Sequence, residues 1–137
     1  MKKKVLKIKN RISELQKINS SIEDLVYKWN IPQHVSFNIN LVIEEVFSNI
    51  VFYGYQDDDE HEIFITYLNK GDRISVEIVD DAKEFNPLLA PSMGVFCNTV
   101  DETEVGGIGL HLIKCMVDDI DYARRAERNI LTVEKMI

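Results

Sequence analysis

The sequence predicts an α+β fold, a two-layer α/β sandwich in which a mixed, mostly antiparallel sheet carries about three helices on one face. Two long segments with helical hydrophobic spacing come first, between residues 11 and 55. Strand-like segments then follow in two pairs, each joined by a short polar turn. Helices that precede a set of antiparallel strands bury their apolar surfaces most economically as one helical layer on one sheet.

Composition and charge limit the classes of function. The 137 residues are expected to form one domain, residues 1–137, with 45% hydrophobic and 28% charged residues. The formal net charge of -7 disfavours a phosphate-neutralising patch, so direct nucleic-acid binding is not expected. No apolar segment follows the N-terminal lysines, so we expect neither a signal peptide nor a membrane span. By elimination, we expect a cytoplasmic protein.

The N-terminal part is predicted to hold a short edge strand and two helices. The strand covers 4–9, and apolar residues recur at helical spacing over 11–29. Pro32 is well placed to start the next helix, which is predicted from about Gln33 to Tyr55. The core stripe of that second helix is formed by Ile39, Val42, Ile43, Val46, Ile50 and Tyr53.

The C-terminal part is predicted to supply most of the sheet. Strands at 61–69 and 73–80 are joined by Asn-Lys-Gly-Asp, a hairpin signal with Gly71 in the turn. The remaining elements are a loop over 81–106, a helix over 107–118 and two strands near 119–125 and 130–136 joined by Ala-Glu-Arg-Asn.

The strand that ends at Asp80 carries a carboxylate on its inward face. Ile74, Val76 and Ile78 mark the core face, and Asp80 continues their alternation. A carboxylate on a core face is unfavourable unless it is paired or hydrogen-bonded. Asp80 is therefore either a solvated strand end or helix N-cap, or an acceptor for the amino group of a ligand.

Glu45 and Asn49 lie one turn apart on the second predicted helix, so their side chains share a face. A carboxylate with an amide oxygen one turn away can hold Mg²⁺, which prefers oxygen ligands, and can accept a proton. The alternative is an amphipathic helix with ordinary surface polar residues.

Gly106, Gly107 and Gly109 stand immediately before a predicted helix. Glycines let backbone N–H groups approach an anion, and the helix start adds its positive dipole end. A tight loop also needs glycine, which is the structural alternative. Taken in order, Glu-x-x-x-Asn, the strand-end aspartate and Gly-Gly-x-Gly predict a metal ligand with a base, an adenine acceptor and a phosphate cradle.

These segments resemble a known family across essentially the whole chain. "EEVFSNIVFYGY" resembles the N-box of the Bergerat-fold ATP-binding domains of histidine kinases, type II topoisomerases and heat-shock chaperones. "VDDAKEFNPL" is similar to their following Asp-x-Gly box, in the Phe-x-Pro form of the anti-sigma factor serine kinases. The segment from Gly106 to Lys135 resembles the last third of that subfamily, with its tyrosine strand and Asn-x-Leu-x-x-x-Lys ending.

The resemblance implies a site for ATP or ADP and Mg²⁺. Asn49 would be the Mg²⁺ ligand, Glu45 the base that takes the proton from a substrate serine, and Asp80 the acceptor of the adenine amino group. Residues 88–105 would form a lid over the nucleotide. The other nucleotide-binding positions that the resemblance implies are Ala82, Phe85, Gly106, Gly107, Gly109 and Leu110.

The chain departs from the family pattern in two places. Ala82 stands where the family has a glycine two residues after the aspartate. No Lys or Arg occurs between Lys83 and Lys114. The lid carries instead Asp101, Glu102 and Glu104.

The resemblance implies an ATP-dependent protein serine kinase that binds a sigma factor and phosphorylates an anti-sigma factor antagonist, an arrangement called partner switching. It implies no direct contact with nucleic acid or membrane, and it leaves a homodimer open. The two departures favour an alternative, a non-catalytic regulatory module with the same fold that binds a partner with or without nucleotide.

Overall fold

The computed structural model describes residues 2–89 and 113–137. Its strands are β1 (Lys2–Lys9), β2 (Glu62–Asn69), β3 (Arg73–Asp80), β4 (Asp119–Arg125) and β5 (Arg128–Met136). Its helices are α1 (Leu15–Trp29) and α2 (Gln33–Asn49), and residues 113–116 are also helical. The strands form one sheet in the order β1-β2-β3-β5-β4, and every pairing between these strands is antiparallel. The predicted α+β sandwich is confirmed.

The core lies between the helical layer and one face of the sheet. Inward side chains alternate along β2 and β3, so that each strand presents three residues that are at most 1% exposed. These six residues are Ile63, Ile65, Tyr67, Ile74, Val76 and Ile78. The helices cover them with buried residues of α1 and α2, among which are Ile18, Leu25, Val35, Ile39 and Ile43.

A buried polar contact fixes α1 against β2. The Ser21 hydroxyl donates to the carbonyl of Ile18 at 2.7 Å, so the Tyr67 hydroxyl donates to Ser21 Oγ at 2.9 Å. Burial raises the pKa of Tyr67 to about 12. A buried hydroxyl is stable only with a partner, so this bond sets where α1 lies on the sheet.

Helix α2 ends in a π-helical turn over Ile50–Gly54. The prediction that the core stripe continues to Tyr53 is wrong, since Tyr53 is 66% exposed. A π turn holds more residues than an α turn, so it rotates the side chains that follow it relative to the stripe. Phe47, which the stripe omitted, is fully buried one turn after Ile43.

The segment Gln33–Gly54 is long and apolar enough, by length and composition only, to cross a membrane. In this fold part of its apolar side chains lie in the core, where α2 packs on α1 and on β5, whereas Phe37, Phe52 and Tyr53 are exposed. Core helices of globular domains pass the same test of length and composition.

Both hairpins close with turns that need a positive φ. Gly71 adopts a φ of 95° between β2 and β3, as the hairpin signal predicted. Between β4 and β5 the turn is shorter than the predicted Ala-Glu-Arg-Asn, and it consists of Ala126 and Glu127 with φ of 51° and 64°. Two-residue turns of this kind match the twist of the strands, which lets β5 begin already at Arg128.

Candidate functional site

The end of α2 and the end of β3 meet at a cavity of about 220 Å³. Asn49 and Asp80, which the sequence predicts to share a cleft, both line it. Ala82 and Phe85 of the loop after β3 also line it, and the Phe85 side chain is 47% exposed. The apolar wall of the cavity includes Val46, Ile50, Tyr53, Pro87 and Leu131.

Glu45 and Asn49 are hydrogen-bonded to each other on α2, and of the two only Asn49 lines the cavity. Asn49 Nδ2 donates to the Glu45 carbonyl at 2.8 Å and to Glu45 Oε1 at 3.0 Å. Both amide hydrogens are thereby used, which leaves Asn49 Oδ1 as an acceptor. The neighbouring Glu44 points elsewhere and accepts from Asn40 Nδ2 at 3.4 Å.

Asp80 is buried, with 5% of its surface exposed, so it is not a solvated strand end. Burial raises the pKa of Asp80, and the hydrogen bonds from Asn129 and Ala82 oppose that shift. The Ala82 N–H donates to Asp80 Oδ1 at 3.0 Å, and Asn129 Nδ2 donates to the same oxygen at 2.9 Å. Within residues 2–89 and 113–137, Oδ2 accepts no hydrogen bond and remains available to a ligand.

Asn129 of β5 lines the cavity, although the sequence motifs led to no predicted role for this first residue of the Asn-x-Leu-x-x-x-Lys ending. Its amide donates to Asp80 and to the Lys83 carbonyl, each at 2.9 Å. Its Oδ1 accepts from the Phe85 N–H at 3.3 Å and from the Tyr122 hydroxyl. One buried amide therefore joins the end of β3, the loop that follows it, and β4.

The sequence does contain a signal for Asn129. Asn129 continues the alternation of inward side chains that Leu131 and Val133 form on β5, as Asp80 does on β3. The Asn129 side chain is accordingly buried, with 6% exposed. The register of the sheet then pairs Asp80 with Asn129 across β3 and β5. Two inward polar residues thus meet, but only the strand pairing brings them together.

Ala82 fits without glycine because Gly54 makes room for it. Among the described residues the non-glycine positions with positive φ are Asn30, Ala126 and Glu127, so Ala82 does not need the conformation that favours glycine. Its side chain is buried against Gly54, where an added Cβ would lie 2.8 Å from Ala82 Cβ.

A second polar cluster lies beside Asp80 and holds the segment after α2. The Tyr55 ring stacks on His61 with centroids 4.0 Å apart, and its hydroxyl donates to Asp81 Oδ1 at 2.8 Å. His61 contacts Asp57 Oδ1 through Nε2 at 2.8 Å and Asp81 Oδ2 through Nδ1 at 3.1 Å. These contacts tie the chain between α2 and β2 to the residue that follows Asp80.

The ionisable groups of this second cluster shift one another's pKa values. The hydrogen bond that His61 donates to Asp57 raises the pKa of His61 against the effect of burial, and Asp81 adds to the rise. The same contact with His61 lowers the pKa of Asp57. Burial opposes the shift at Asp81, but hydrogen bonds from Tyr55 and His61 lower its pKa. The cluster therefore favours the imidazolium form of His61 more strongly than water does.

The predicted phosphate cradle lies outside the described residues. The structure does not describe Gly106, Gly107, Gly109 or Leu110, nor most of the lid predicted over 88–105. Over the part of the chain that the structure describes, His, Cys, Asp and Glu form no group of three that could hold a metal ion.

Comparisons with known proteins agree with this architecture. Residues 8–135 match the model of a family described as "Histidine kinase-like ATPase domain". The serine/threonine-protein kinase BtrW of Bordetella bronchiseptica is 27% identical over 97 residues, which are 71% of this chain and 68% of that protein. The serine-protein kinase RsbW of Bacillus subtilis is 26% identical over 86 residues, 61% of this chain and 54% of that protein. The chain thus spans between about half and two thirds of these relatives.

The fold also matches solved structures. The RsbU and RsbW domains of a Mycobacterium tuberculosis protein superpose with a TM-score of 0.66, covering 99% of this chain and 32% of that chain at 12% identity. A histidine kinase domain from Erythrobacter litoralis gives a TM-score of 0.56, covering 91% of this chain and 60% of that chain at 15% identity. At these identities the likeness shows the fold alone.

The contact between Gly54 and Ala82 predicts a reciprocal pair of substitutions. Gly54→Ala forces two Cβ atoms together and should lower the free energy of unfolding by about 1–3 kcal/mol. Adding Ala82→Gly removes the opposing methyl and should restore at least half of that loss. Urea denaturation of the wild type, both single variants and the double variant measures the coupling, and strictly additive effects would contradict the contact.

The cluster around His61 predicts a pH-dependent contribution to stability. Because the folded pKa of His61 is raised, this contribution is fully present below the unfolded value of about 6.5 and is lost as pH rises through the folded pKa. His61→Phe keeps a ring to stack on Tyr55 but removes both hydrogen bonds.

Urea denaturation at about pH 5.5 and about pH 8.5 should show a larger loss of stability from His61→Phe at the lower pH, where Asp57 and Asp81 remain ionised. The matched control is His34→Phe, the same replacement at an exposed histidine of α2. An equal loss from His61→Phe at both pH values would show that the imidazolium is not the stabilising form.

Proposed function

The chain belongs to the histidine kinase-like ATPase domain family, and on that premise we propose that it is an ATP-dependent protein serine kinase of the anti-sigma factor type. The observation that carries the proposal is the cavity that both Asn49 and Asp80 line, with Glu45 hydrogen-bonded to the Asn49 side chain. The names of the relatives BtrW and RsbW, both serine kinases, support the reaction type.

Asp80 is proposed to read the base of the nucleotide. Its Oδ1 is taken by two N–H donors, so Oδ2 is the atom that accepts from the adenine 6-amino group. The apolar wall of the cavity packs on the faces of the ring, which leaves the amino group as the polar contact that fixes its orientation.

Asn49 is proposed to be the protein ligand of Mg²⁺. The donor set fits, because both N–H bonds of its amide are used by Glu45 and the carbonyl oxygen is left as an acceptor. Mg²⁺ is commonly held by one or two protein oxygens together with substrate phosphates and water. When bound, the ion neutralises charge on the transferring phosphoryl group.

Glu45 is proposed to be the general base. It is half-buried and its Oε1 accepts from Asn49, a residue that lines the cavity, although Glu45 itself is not a lining residue. The carboxylate takes the hydroxyl proton, the serine oxygen forms a bond to the γ-phosphorus, and the bond from that phosphorus to the β–γ bridging oxygen breaks to release ADP. The bond from Asn49 to Oε1 orients the carboxylate and leaves Oε2 for the proton.

The resemblance to anti-sigma factor kinases supports the proposed partners. We propose that the domain holds a sigma factor and transfers phosphate to a serine of the antagonist, so that phosphorylation decides which partner is bound. The substrate hydroxyl would approach the face of α2 that carries Glu45 and Asn49.

A second candidate function is a regulatory module that binds a partner without catalysis. Among the described residues that line the cavity, Lys83 is the only Lys or Arg. The sequence places no cation in the predicted lid. Both observations favour weak nucleotide binding. Ala82 does not, since Gly54 accommodates its methyl group.

Three alanine substitutions on α2 test the kinase. Asn49→Ala is expected to abolish binding of Mg-ATP, because it removes the metal ligand. Glu45→Ala should leave that binding nearly unchanged and lower phosphotransfer by about 10²–10⁴-fold, the usual contribution of a general base. Glu44→Ala is the matched control, because it removes the neighbouring carboxylate that bonds to Asn40 instead.

Calorimetry with Mg-ATP and Mg-ADP measures binding, and transfer of labelled γ-phosphate to the antagonist of the same organism measures catalysis. Normal transfer by Glu45→Ala would remove the assigned base. Binding without transfer by the wild type would favour a nucleotide-gated module, and no binding at millimolar nucleotide would favour a nucleotide-free one.

Asn129→Leu tests how Asp80 reads the base. The substitution removes a donor to Asp80 Oδ1, so the carboxylate loses both orientation and stabilisation of its charge. Affinity for ADP should fall about tenfold, or about 1.4 kcal/mol, and the preference for ADP over inosine diphosphate should narrow. Tyr122→Phe, which removes only the hydroxyl bonded to Asn129, should have a smaller effect. An unchanged preference in Asn129→Leu would contradict this role.

A further inference from the structure

The end of the β4–β5 hairpin concentrates positive charge in an acidic chain. Three of the five arginines, Arg124, Arg125 and Arg128, lie within five consecutive positions of the sequence. Lys83 adjoins them, since it lines with Arg124 and Arg128 a surface recess of about 490 Å³. These four residues are called the hairpin patch.

The hairpin patch differs from the other cations in its partners. Nine other Lys and Arg side chains form salt bridges with carboxylates. Over residues 2–89 and 113–137, no member of the patch has a carboxylate oxygen within 4.0 Å. Within the described residues the patch is therefore a group of cations without salt-bridge partners, although Arg124 interacts at longer range with the Asp80 carboxylate.

Nearby carboxylates do not pair with the patch because most already have partners. Arg128 shares a second recess with four carboxylates, Glu60, Glu62, Asp80 and Asp81. Asp80 is hydrogen-bonded by the Ala82 N–H and the Asn129 amide and forms no salt bridge within the described residues. Glu60 pairs with a lysine and an arginine of the β1 end, and Glu62 pairs with a lysine of β1. Asp81 contacts His61. The exposed Glu127 lines the first recess and is the carboxylate there that makes no salt bridge within the described residues.

The hairpin brings two of the arginines together and anchors the third. Arg125 and Arg128 face each other across the strand pair, next to a two-residue turn. Like charges at facing positions of two strands are destabilising by about 0.2–1 kcal/mol, so this arrangement does not serve the stability of the hairpin. Arg124 is anchored, because its Nη1 donates to the Ala82 carbonyl at 2.8 Å.

We propose that the hairpin patch is a docking surface for an acidic segment of a partner protein. Arginine forks bind carboxylates in a bidentate geometry, and a local group of cations without carboxylate partners favours a negatively charged segment, although the net charge of -7 opposes an acidic partner at long range. A nucleic acid fits less well, because four cations flanked by Glu84 and Glu127 cannot follow an extended phosphate backbone. The proposal does not depend on nucleotide binding.

The test uses the full chain and a fluorescein-labelled peptide of alternating Glu and Ala, with the Gln-for-Glu peptide as its neutral counterpart. Fluorescence anisotropy should show binding of the acidic peptide that weakens with added salt. The double variant Arg125→Glu, Arg128→Glu should weaken that binding by about tenfold or more.

The matched control is Lys2→Glu, Lys3→Glu on β1, the opposite edge strand of the sheet. These two exposed lysines also form no salt bridge in the described chain, and their reversal changes the net charge equally. The control should retain most of the binding. Arg125→Gln, Arg128→Gln serves as the second patch variant if charge reversal perturbs folding.

Equal losses in the patch variant and the β1 control would overturn the proposal, because binding would then follow net charge alone. Equal binding of the neutral peptide would overturn it as well. Tighter binding of an oligothymidylate of the same length, again lost in the patch variant, would assign the surface to nucleic acid instead of protein.

Discussion

The buried carboxylate of Asp80 is the constraint on which the site depends. An ionised carboxylate away from water is unfavourable unless N–H donors replace its hydration, and here Asn129 and the backbone of Ala82 supply them. The donor that satisfies Asp80 also binds the Lys83 carbonyl and the Phe85 N–H. The loop that leaves β3 is therefore shaped by the same amide that stabilises the charge, so recognition of a base and local folding are not separable.

The other side of the cavity is held by close packing and by a charged cluster. Gly54 ends the π turn that follows α2, and its carbonyl accepts a hydrogen bond from the Lys83 N–H. Because Gly54 has no side chain, the Ala82 methyl group can lie against it. The structure thus accommodates an alanine at position 82, where the family pattern has a glycine. Tyr55 and His61 then bind Asp81, so the helical end and the strand end cannot separate without breaking contacts of both kinds.

Charge is distributed unevenly over the sheet. At one end Glu134 pairs with Lys70 and Arg73, so that the cations there are neutralised within the fold. At the opposite end the hairpin patch has no such partner among the described residues. Arg124 connects this end to the cavity, because the carbonyl that it binds belongs to Ala82, whose N–H binds Asp80. A proposed docking surface and a proposed nucleotide site therefore share one short loop.

Helices, strands and most turns could be predicted from the sequence, because hydrophobic periodicity and turn chemistry are local properties. The alternation of β3 placed Asp80 on the core face, and Gly71 indicated the hairpin between β2 and β3. The sequence also placed Glu45 and Asn49 on one helix face, since their spacing alone decides that. The exposure of Tyr53 could not be predicted from the sequence, because it follows from the π turn, which depends on how the end of α2 packs. Only the pairing of β3 with β5 brought Asn129 to Asp80, 49 positions apart, since no local pattern records which inward polar residues become neighbours.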